Sequence, residues 1–312
     1  MSRDDYDFLT DRLALPRGAV ARAARRHVVH RGTRVLGFVA GRFRPCCHPV
    51  LTPAGFATTA ESPADHPHHN SLWIAADHVG LQVPAGEGGV ESYEYNFYVD
   101  EVFQGRAPGR LIERSCEGAP LGAAGFAVTQ EIDWRGPAEW GAPEGRLALR
   151  ETRRTTIREI EGAYRMDISS RLAAGEIPVR LGPTRHAYFN VRVAETMVRA
   201  NGGVIRSERG VADGAAISAA GAEWVDFTGP VGGGARAGLT VIPRPAAGET
   251  ATWFVADWGV VTVGTFRDRA LTLEAGDETI QRCTIIVHDG EISPASVEAL
   301  KRGGFGPEGE AP

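Results

Sequence analysis

Apolar and polar residues alternate with a period of two along much of the chain, beginning near residue 27. The clearest case is residues 147–172, where two alternating runs flank the turn signal Glu161-Gly162. This period is typical of half-buried strands, because successive side chains point to opposite faces of a sheet. The segment therefore predicts a β-hairpin whose second face carries solvated arginines.

Turn-forming residues separate such runs almost to the end of the chain. The 312 residues include 39 glycines and 19 prolines, and long stretches with a helical period are scarce. Further strands are predicted at 223–227, 251–256, 259–266, 270–273 and 281–287. The pattern predicts an all-β sandwich or barrel.

Two segments differ from this pattern. Residues 1–26 are polar, which we interpret as an N-terminal arm or an edge segment. Ser293 can cap a helix and Pro294 suits its first turn, so a short C-terminal helix is predicted near 293–302, followed by a frayed tail. No charged linker or internal repeat divides residues 27–312, which we take as a single β domain.

Composition narrows the function classes. The net charge is -5, with 43% apolar and 23% charged residues and no basic stripe, so nucleic acid is not an expected partner. No apolar run is long enough to span a bilayer, and the acidic N-terminus does not resemble a secretory signal. The four cysteines form no CxxC pair. We therefore expect a cytoplasmic protein with reduced thiols.

Three histidines fall within four positions, His66, His68 and His69, and Trp73 follows them. On a strand, His66 and His68 would face one side and could hold a divalent metal ion, although no third ligand is identifiable. Alternatively, His66, His69 and Trp73 could bind a sugar, and His68 could act as a general acid. The alternative is a structural role, with Pro67 breaking the strand.

A second polar cluster lies more than a hundred residues later. If this segment is extended, His186, Tyr188 and Asn190 share one face and offer an imidazole, a phenol and an amide. Such groups can hold a polyol and transfer a proton. A strand end with a hydrogen-bonded histidine is the alternative. We expect this cluster and the three earlier histidines to line one pocket.

Residues 93–98 are unusually aromatic. The alternating aromatic positions 93, 95 and 97 are predicted to be core, whereas Glu94 and Asn96 lie on the other face and are candidate substrate-binding residues. Arg106, in the loop that follows, is suited to bind carboxylate, phosphate or carbonyl oxygens.

Several motifs together resemble the family labelled PmoA-like, over residues 34 to 291. The label suggests a subunit of methane monooxygenase, an integral membrane enzyme, and that activity does not suit a chain without a spanning segment. Many relatives have arginine after the paired histidines, where this chain has Asn70. The motifs are Pro45, His48-Pro49-Val50, Thr52-Pro53-Ala54-Gly55, Asp65-His66-Pro67-His68-His69, Leu72-Trp73, Trp224-Val225-Asp226-Phe227-Thr228-Gly229-Pro230 and Val287-His288-Asp289-Gly290.

The segment Arg185-His186-Ala187-Tyr188-Phe189-Asn190 is similar to the Asn-His-x-Tyr-Phe-Asn motif of galactose mutarotases. This resemblance implies a large antiparallel β supersandwich. It also implies that His186 is the general acid at the sugar ring oxygen and that an earlier histidine, His66 or His68, binds the sugar.

Galactose mutarotases also use a glutamate base late in the chain. By order along the chain, the nearest candidate is Glu274, although its neighbours do not match the motif of that family. Asp226 and Asp257 are the alternatives.

Taken together, these features predict a carbohydrate-active enzyme of the epimerase, isomerase or lyase type that works by histidine acid–base chemistry. One alternative is a divalent-metal-dependent hydrolase, lyase or oxygenase that uses His66 and His68. The other is a non-catalytic sensor of carbohydrate. The expected partner is a sugar-like small molecule, a homo-oligomer is compatible with the sequence, and no cofactor is indicated other than that metal.

Overall fold

In the computed structural model, residues 5–10, 25–122 and 125–302 are described. Their strands in chain order are β1 Tyr6–Thr10, β2 Arg25–His30, β3 Thr33–Val39, β4 Cys46–Val50, β5 Leu72–Ala76, β6 Val79–Pro84, β7 Val90–Asn96, β8 Ala107–Pro108, β9 Arg110–Pro120, β10 Phe126–Arg135, β11 Leu147–Ile160, β12 Ala163–Ala174, β13 Val179–Leu181, β14 Ala187–Arg192, β15 Val204–Ser207, β16 Gly210–Val211, β17 Val225–Gly232, β18 Ala235–Pro243, β19 Thr252–Ala256, β20 Val260–Gly264, β21 Leu271–Leu273 and β22 Glu278–Asp289. The α-helices are α1 Gly214–Ala220 and α2 Pro294–Lys301.

These strands form three sheets. An eight-stranded sheet has the order β1-β2-β3-β4-β5-β14-β20-β19, and a nine-stranded sheet has the order β16-β15-β17-β18-β22-β12-β11-β10-β9. A five-stranded sheet has the order β21-β13-β6-β7-β8. Neighbouring strands are antiparallel except β7 and β8. The all-β fold class with antiparallel sheets is therefore as predicted.

The long hairpin of the nine-stranded sheet follows directly from the sequence. Strands β11 and β12 pair from Ile160 and Ala163 outward. The two turn residues between them, Glu161 and Gly162, have φ values of 51° and 77°. Two positive φ angles match the twist of the flanking strands and make a tight hairpin turn. The predicted hairpin and its turn are confirmed.

The two large sheets face each other across the main hydrophobic core. In β14, Phe189 points into this core, whereas Asn190 points to the opposite face of the eight-stranded sheet, and Ile74 and Trp73 of β5 divide in the same way. A smaller apolar cluster around Trp73 and Tyr98 covers that outer face. The outer face is where the histidines predicted from the sequence gather.

The chain ends of the described region agree in part with expectation. Residues Tyr6–Thr10, expected to belong to an arm, form an edge strand that pairs with β2, because Tyr6 can stack on His30 at 4.2 Å between ring centroids. The C-terminal helix is confirmed, and the Ser293 hydroxyl accepts the N–H of Ser296 at its start. The predicted tail lies outside the described residues. None of the described helices is long and apolar enough to cross a membrane.

One buried guanidinium, on Arg165, connects the C-terminal helix to the nine-stranded sheet. Arg165 donates to the carbonyls of Leu300 and Arg302, each at 2.7 Å, and to the carboxylate of Asp167 at 3.0 Å. We expect Arg165→Met to lower the free energy of unfolding by about 3–5 kcal/mol, because it leaves a buried carboxylate without its cation. Urea unfolding measures the change.

The matched control is Arg150→Met, at an exposed position of the same hairpin, which should change stability by less than about 0.5 kcal/mol. Equal losses in the two variants would show that Arg165 has no special role in holding the helix.

Candidate functional site

The loop that carries the histidine cluster crosses the outer face of the eight-stranded sheet. It is built from successive turns, in which His66 N–H bonds to the Pro63 carbonyl and His69 N–H bonds to the His66 carbonyl. Pro67 occupies a turn position that its fixed φ and missing N–H suit. The expectation that His66 and His68 lie on a strand is therefore wrong.

Aromatic rings are layered on this loop. The His66 ring stacks on Trp258, with centroids 4.5 Å apart and planes 2° from parallel, and on its other neighbour His69 at 4.8 Å. His68 meets His66 edge-on at 5.7 Å. Trp258 lies in the turn between β19 and β20 and is 37% exposed. His66 and Trp258 are therefore partly exposed members of one stack of aromatic rings.

A buried arginine fastens the loop to β14. Arg192 donates to both carboxylate oxygens of Asp65, at 2.9 and 3.1 Å, and its guanidinium packs against Trp258 at 4.8 Å. Asp65 in turn bonds to His66 Nδ1 at 2.9 Å. The orientation of the His66 ring is thus set by a residue of the sheet below it.

The centre of the site is Asp77, which directly follows β5. Its carboxylate is bonded to His186 Nδ1 at 2.8 Å and to His78 Nδ1 at 2.7 Å, and it also accepts the hydroxyl of Thr184. Arg106 donates to the Asp77 backbone carbonyl at 3.0 Å. The side chain of Asp77 is 3% exposed, whereas those of His78 and His186 are 30% and 23% exposed. One buried carboxylate therefore orients two accessible imidazoles.

The hydrogen bonds decide the charge of this carboxylate. Burial alone raises the pKa of Asp77, but the bonds from His186, Thr184 and His78 outweigh burial and lower that pKa to about 2. The ionised carboxylate accepts the Nδ1 proton of each imidazole, so Nε2 is the nitrogen left for other partners. In His186, this nitrogen accepts a hydrogen bond from Arg185 Nε at 3.3 Å.

Tyr98 joins the two parts of the site. Its ring stacks on His186 with centroids 4.7 Å apart, and it meets His68 edge-on at 5.7 Å. Its hydroxyl lies 3.4 Å from His69 Nε2. The two histidine-bearing segments thus both contact the ring of Tyr98, but His186 does not line the cavity beside His68, so a single pocket shared by both segments stays a prediction.

His68, which is half-buried, and His69, which is buried, are uncharged at neutral pH. Burial, with the charges of Arg44, His66 and His186, lowers the pKa of His68 to about 4. Burial, with the neighbouring histidines and Arg192, lowers the pKa of His69 to about 2. Neutral imidazoles can both donate and accept hydrogen bonds.

Four predicted binding residues are buried: His69 and Trp73, at 2% and 1% exposure, and Tyr188 and Asn190. Tyr188 is fully buried in the main core, where its hydroxyl bonds to Ser170 of the opposite sheet at 2.6 Å. The prediction that it shares a face with His186 and Asn190 is wrong, because the phenol finds its hydrogen-bond partner inside the sandwich. Asn190 is buried on the outer face and bonds to Thr262 and to a backbone carbonyl.

Asn96 and Arg106 act through their neighbours. The Asn96 side-chain oxygen accepts the N–H groups of Tyr98 at 2.7 Å and Val99 at 3.1 Å, and thereby holds the segment that carries the Tyr98 ring. Arg106 is buried against Asp77. The structure therefore gives both residues a positioning role instead of the predicted exposure to substrate.

The predicted carboxylates do not reach the histidines. Glu274 lies in an exposed turn, where its N–H bonds to Asp277, and it follows the end of β21 that is remote from Thr184. Glu94 is exposed on β7. Within the described part of the chain, neither carboxylate contacts a histidine.

The two alternative candidates for the general base, Asp226 and Asp257, also have other partners. Asp226 is buried in the nine-stranded sheet with His288 at 3.0 Å. Asp257 pairs with Arg199 at 3.1 Å. The carboxylate that the sequence reasoning missed is Asp77, and its signal was an Asp-His pair directly after a buried strand.

A cavity of about 790 Å³ adjoins the site at His68. The buried Arg44 lines it and donates to Asn70 Oδ1, to the Phe97 carbonyl and to the His68 carbonyl. The lining consists of Arg25, Val39, Gly41, Arg42, Phe43, Arg44, Cys46, Glu61, Ser62, Pro67, His68, Asn70 and Asp100. His186 is not part of this lining, so His68 and Tyr98 lie between the cavity and the Asp77 pair.

The arrangement of possible metal ligands can be compared with the metal site predicted at His66 and His68. Among the described residues, no three His, Cys, Asp or Glu side chains are grouped so that they could hold one metal ion. His66 and His68 meet edge to face, and His66 Nδ1 is already bonded to Asp65. These two histidines therefore lack the third protein ligand that such a site needs.

The fold and the site define an all-β sandwich protein with a surface cluster of histidines around one buried aspartate. The chain belongs to the family of unknown function DUF6807, whose model matches residues 25–302. A solved polysaccharide lyase is similar at 10% sequence identity and a TM-score of 0.30, over 83% of this chain and 31% of that enzyme. No curated protein matches the chain.

The lowered pKa of His68 makes stability depend on pH. An unfolded histidine titrates near 6.5, so as the pH falls from there towards about 4 the unfolded state binds a proton that the folded state does not. The free energy of unfolding should therefore decrease over this interval. His68→Gln should remove about 2–3 kcal/mol of that decrease, as measured by urea unfolding at several pH values. An unchanged pH profile in the variant would contradict this assignment.

Proposed function

We propose that this protein is a carbohydrate-active enzyme of the epimerase, isomerase or lyase type, in which His186 transfers a proton. The observation that carries the proposal is the arrangement of Asp77 between His186 and His78. A buried carboxylate that orients an accessible imidazole is a recurrent device of acid–base catalysis, because it fixes the tautomer and stabilises the imidazolium.

The second imidazole supplies the partner that such chemistry requires. Epimerisation and elimination need one group that donates a proton and one that accepts it. Asp77 bonds to both imidazoles, and Arg106 Nη2 lies 3.7 Å from its carboxylate. His186 and His78 can therefore act as a pair in which one donates a proton and the other accepts one. His78 thus takes the place that the sequence reasoning gave to Glu274. The likeness of the His186 segment to galactose mutarotases supports His186 as the acid.

The remainder of the cluster suits a sugar. His66 and Trp258 are partly exposed aromatic rings, against which the apolar face of a sugar ring can pack. The neutral imidazole of His68 can donate to or accept from hydroxyl groups. A metal-dependent reaction would need a third ligand that the described residues do not group with these histidines.

The test is a panel of aldoses, uronates and their oligosaccharides. Polarimetry follows mutarotation, NMR in D₂O follows deuterium incorporation at carbon, and ultraviolet absorbance follows unsaturated products of a lyase. His186→Gln and Asp77→Asn should each lower kcat by at least about 100-fold, because a positioned acid or base contributes about 10²–10⁴ in rate.

The matched control is His30→Gln, which removes an imidazole that contacts Tyr6 and Tyr164 instead of the site. It should retain activity. Full activity in His186→Gln would exclude His186 as the proton donor. Binding of a sugar without any turnover would favour the sensor, and loss of activity with a chelator would favour the metal-dependent alternative.

The stack of aromatic rings generates a separate prediction. Trp258→Ala should weaken the binding of the best sugar of that panel by about 3–10-fold, the amount expected from one lost ring contact. Titration calorimetry measures this change. Trp140→Ala is the control, because Trp140 is fully exposed in a distant loop and should leave the affinity unchanged. Equal effects of the two substitutions would remove Trp258 from the binding surface.

A further inference from the structure

The cavity beside His68 has a distinct chemical character. Its volume of about 790 Å³ falls within the range of about 300–1,000 Å³ that is typical of small-molecule sites. Three arginines, Arg25, Arg42 and Arg44, line it together with the carboxylates of Glu61 and Asp100. The balance of these charges indicates what the cavity can hold.

The deepest of these charges is not neutralised by a carboxylate. Arg44 is 3% exposed, and its three hydrogen bonds all go to neutral oxygens, those of Asn70, Phe97 and His68. A guanidinium has five N–H groups, so two remain beyond these three. Within the described part of the chain, no carboxylate lies at ion-pairing distance from Arg44. A buried cation without an anion is costly, and an anionic ligand would relieve that cost.

Arg44 remains a cation at neutral pH, and its charge acts on His68. Burial lowers the pKa of Arg44 to about 10, so the group remains a cation at neutral pH. Second only to burial, this charge lowers the pKa of His68. His68 also contacts Tyr98, on which the His186 ring stacks, so the rings of His68 and Tyr98 separate the cavity from the Asp77 pair.

The other charges set the size of the anion. Arg25 is 3.9 Å from Glu61, which accounts for one cation and one carboxylate. Arg42 is exposed, and in the described region it has no acidic partner. Arg42 and Arg44 therefore face only Asp100, so three arginines against two carboxylates leave one net positive charge. This balance suits a monoanion such as a carboxylate better than a phosphate dianion.

We propose that the cavity binds the carboxylate of an acidic sugar through Arg44 and Arg42, so that the substrate class of the site is a uronate or a glycan that contains one. The inference rests on the proposed function for the sugar ring, but the carboxylate subsite stands on the cavity itself. Charge-assisted hydrogen bonds from guanidinium to carboxylate are among the strongest polar contacts in proteins.

The experiment compares three probes by titration calorimetry with the full chain: D-glucuronate, D-glucose and D-glucose 6-phosphate. Glucuronate should bind at least about tenfold more tightly than glucose, the difference expected from hydrogen bonds to a charged group. Arg42→Gln and Arg44→Gln should each reduce this preference by about fivefold or more. Arg180→Gln, an exposed arginine of β13, is the matched control and should leave the preference unchanged.

Three results would overturn the proposal: equal affinities for glucuronate and glucose, no binding of either sugar, or tighter binding of the phosphate ester than of glucuronate. If Arg44→Gln does not fold, Arg42→Gln at the exposed rim still decides the question. The carboxylate subsite and the catalytic role of His186 can be tested independently. His186→Gln should keep the preference for glucuronate even where all turnover is lost. Binding of glucuronate by the wild-type protein without turnover would therefore support this subsite and count against catalysis.

Discussion

The bonds to the buried carboxylate of Asp77 are the constraint on which the site depends. They join the end of β5 to Thr184 and His186 of the loop before β14. The backbone carbonyl of Asp77 accepts a further bond from Arg106 of the loop before β8. A buried charge is stable only when hydrogen bonds and nearby charges replace its water. The same contacts therefore stabilise the buried charge of Asp77 and determine the orientation of the His186 ring.

The packing of the eight-stranded sheet against the main core determines the position of this site. From Phe189 onward, alternate residues of β14 divide between the two faces, so Phe189 packs in the main core while Arg192 fixes the histidine loop outside. A change of one residue in the register of β14 would exchange these faces and dismantle the loop contacts. The position of the histidines is thus set by the hydrophobic core, although they themselves lie on the other side of the sheet.

Polarity changes across the site in three zones. Around Asp77, a charged group orients two imidazoles. In the middle, His68 and the buried ring of Tyr98 form a neutral region, because burial disfavours the charged form of an imidazole. Beyond His68, the cavity around Arg44 is positive. A ligand with a sugar ring and one acidic group matches this order of zones.

The sequence by itself determined the all-β class, the hairpin at residues 147–172 and the C-terminal helix, because these depend on local alternation, turn chemistry and capping. It also identified the two histidine segments. It could not reveal that Asp77 meets His186 across 109 positions, nor that Tyr188 turns into the core. Both features depend on the pairing of strands distant in sequence and on the hydrogen bonding of buried polar groups, which only the tertiary structure establishes.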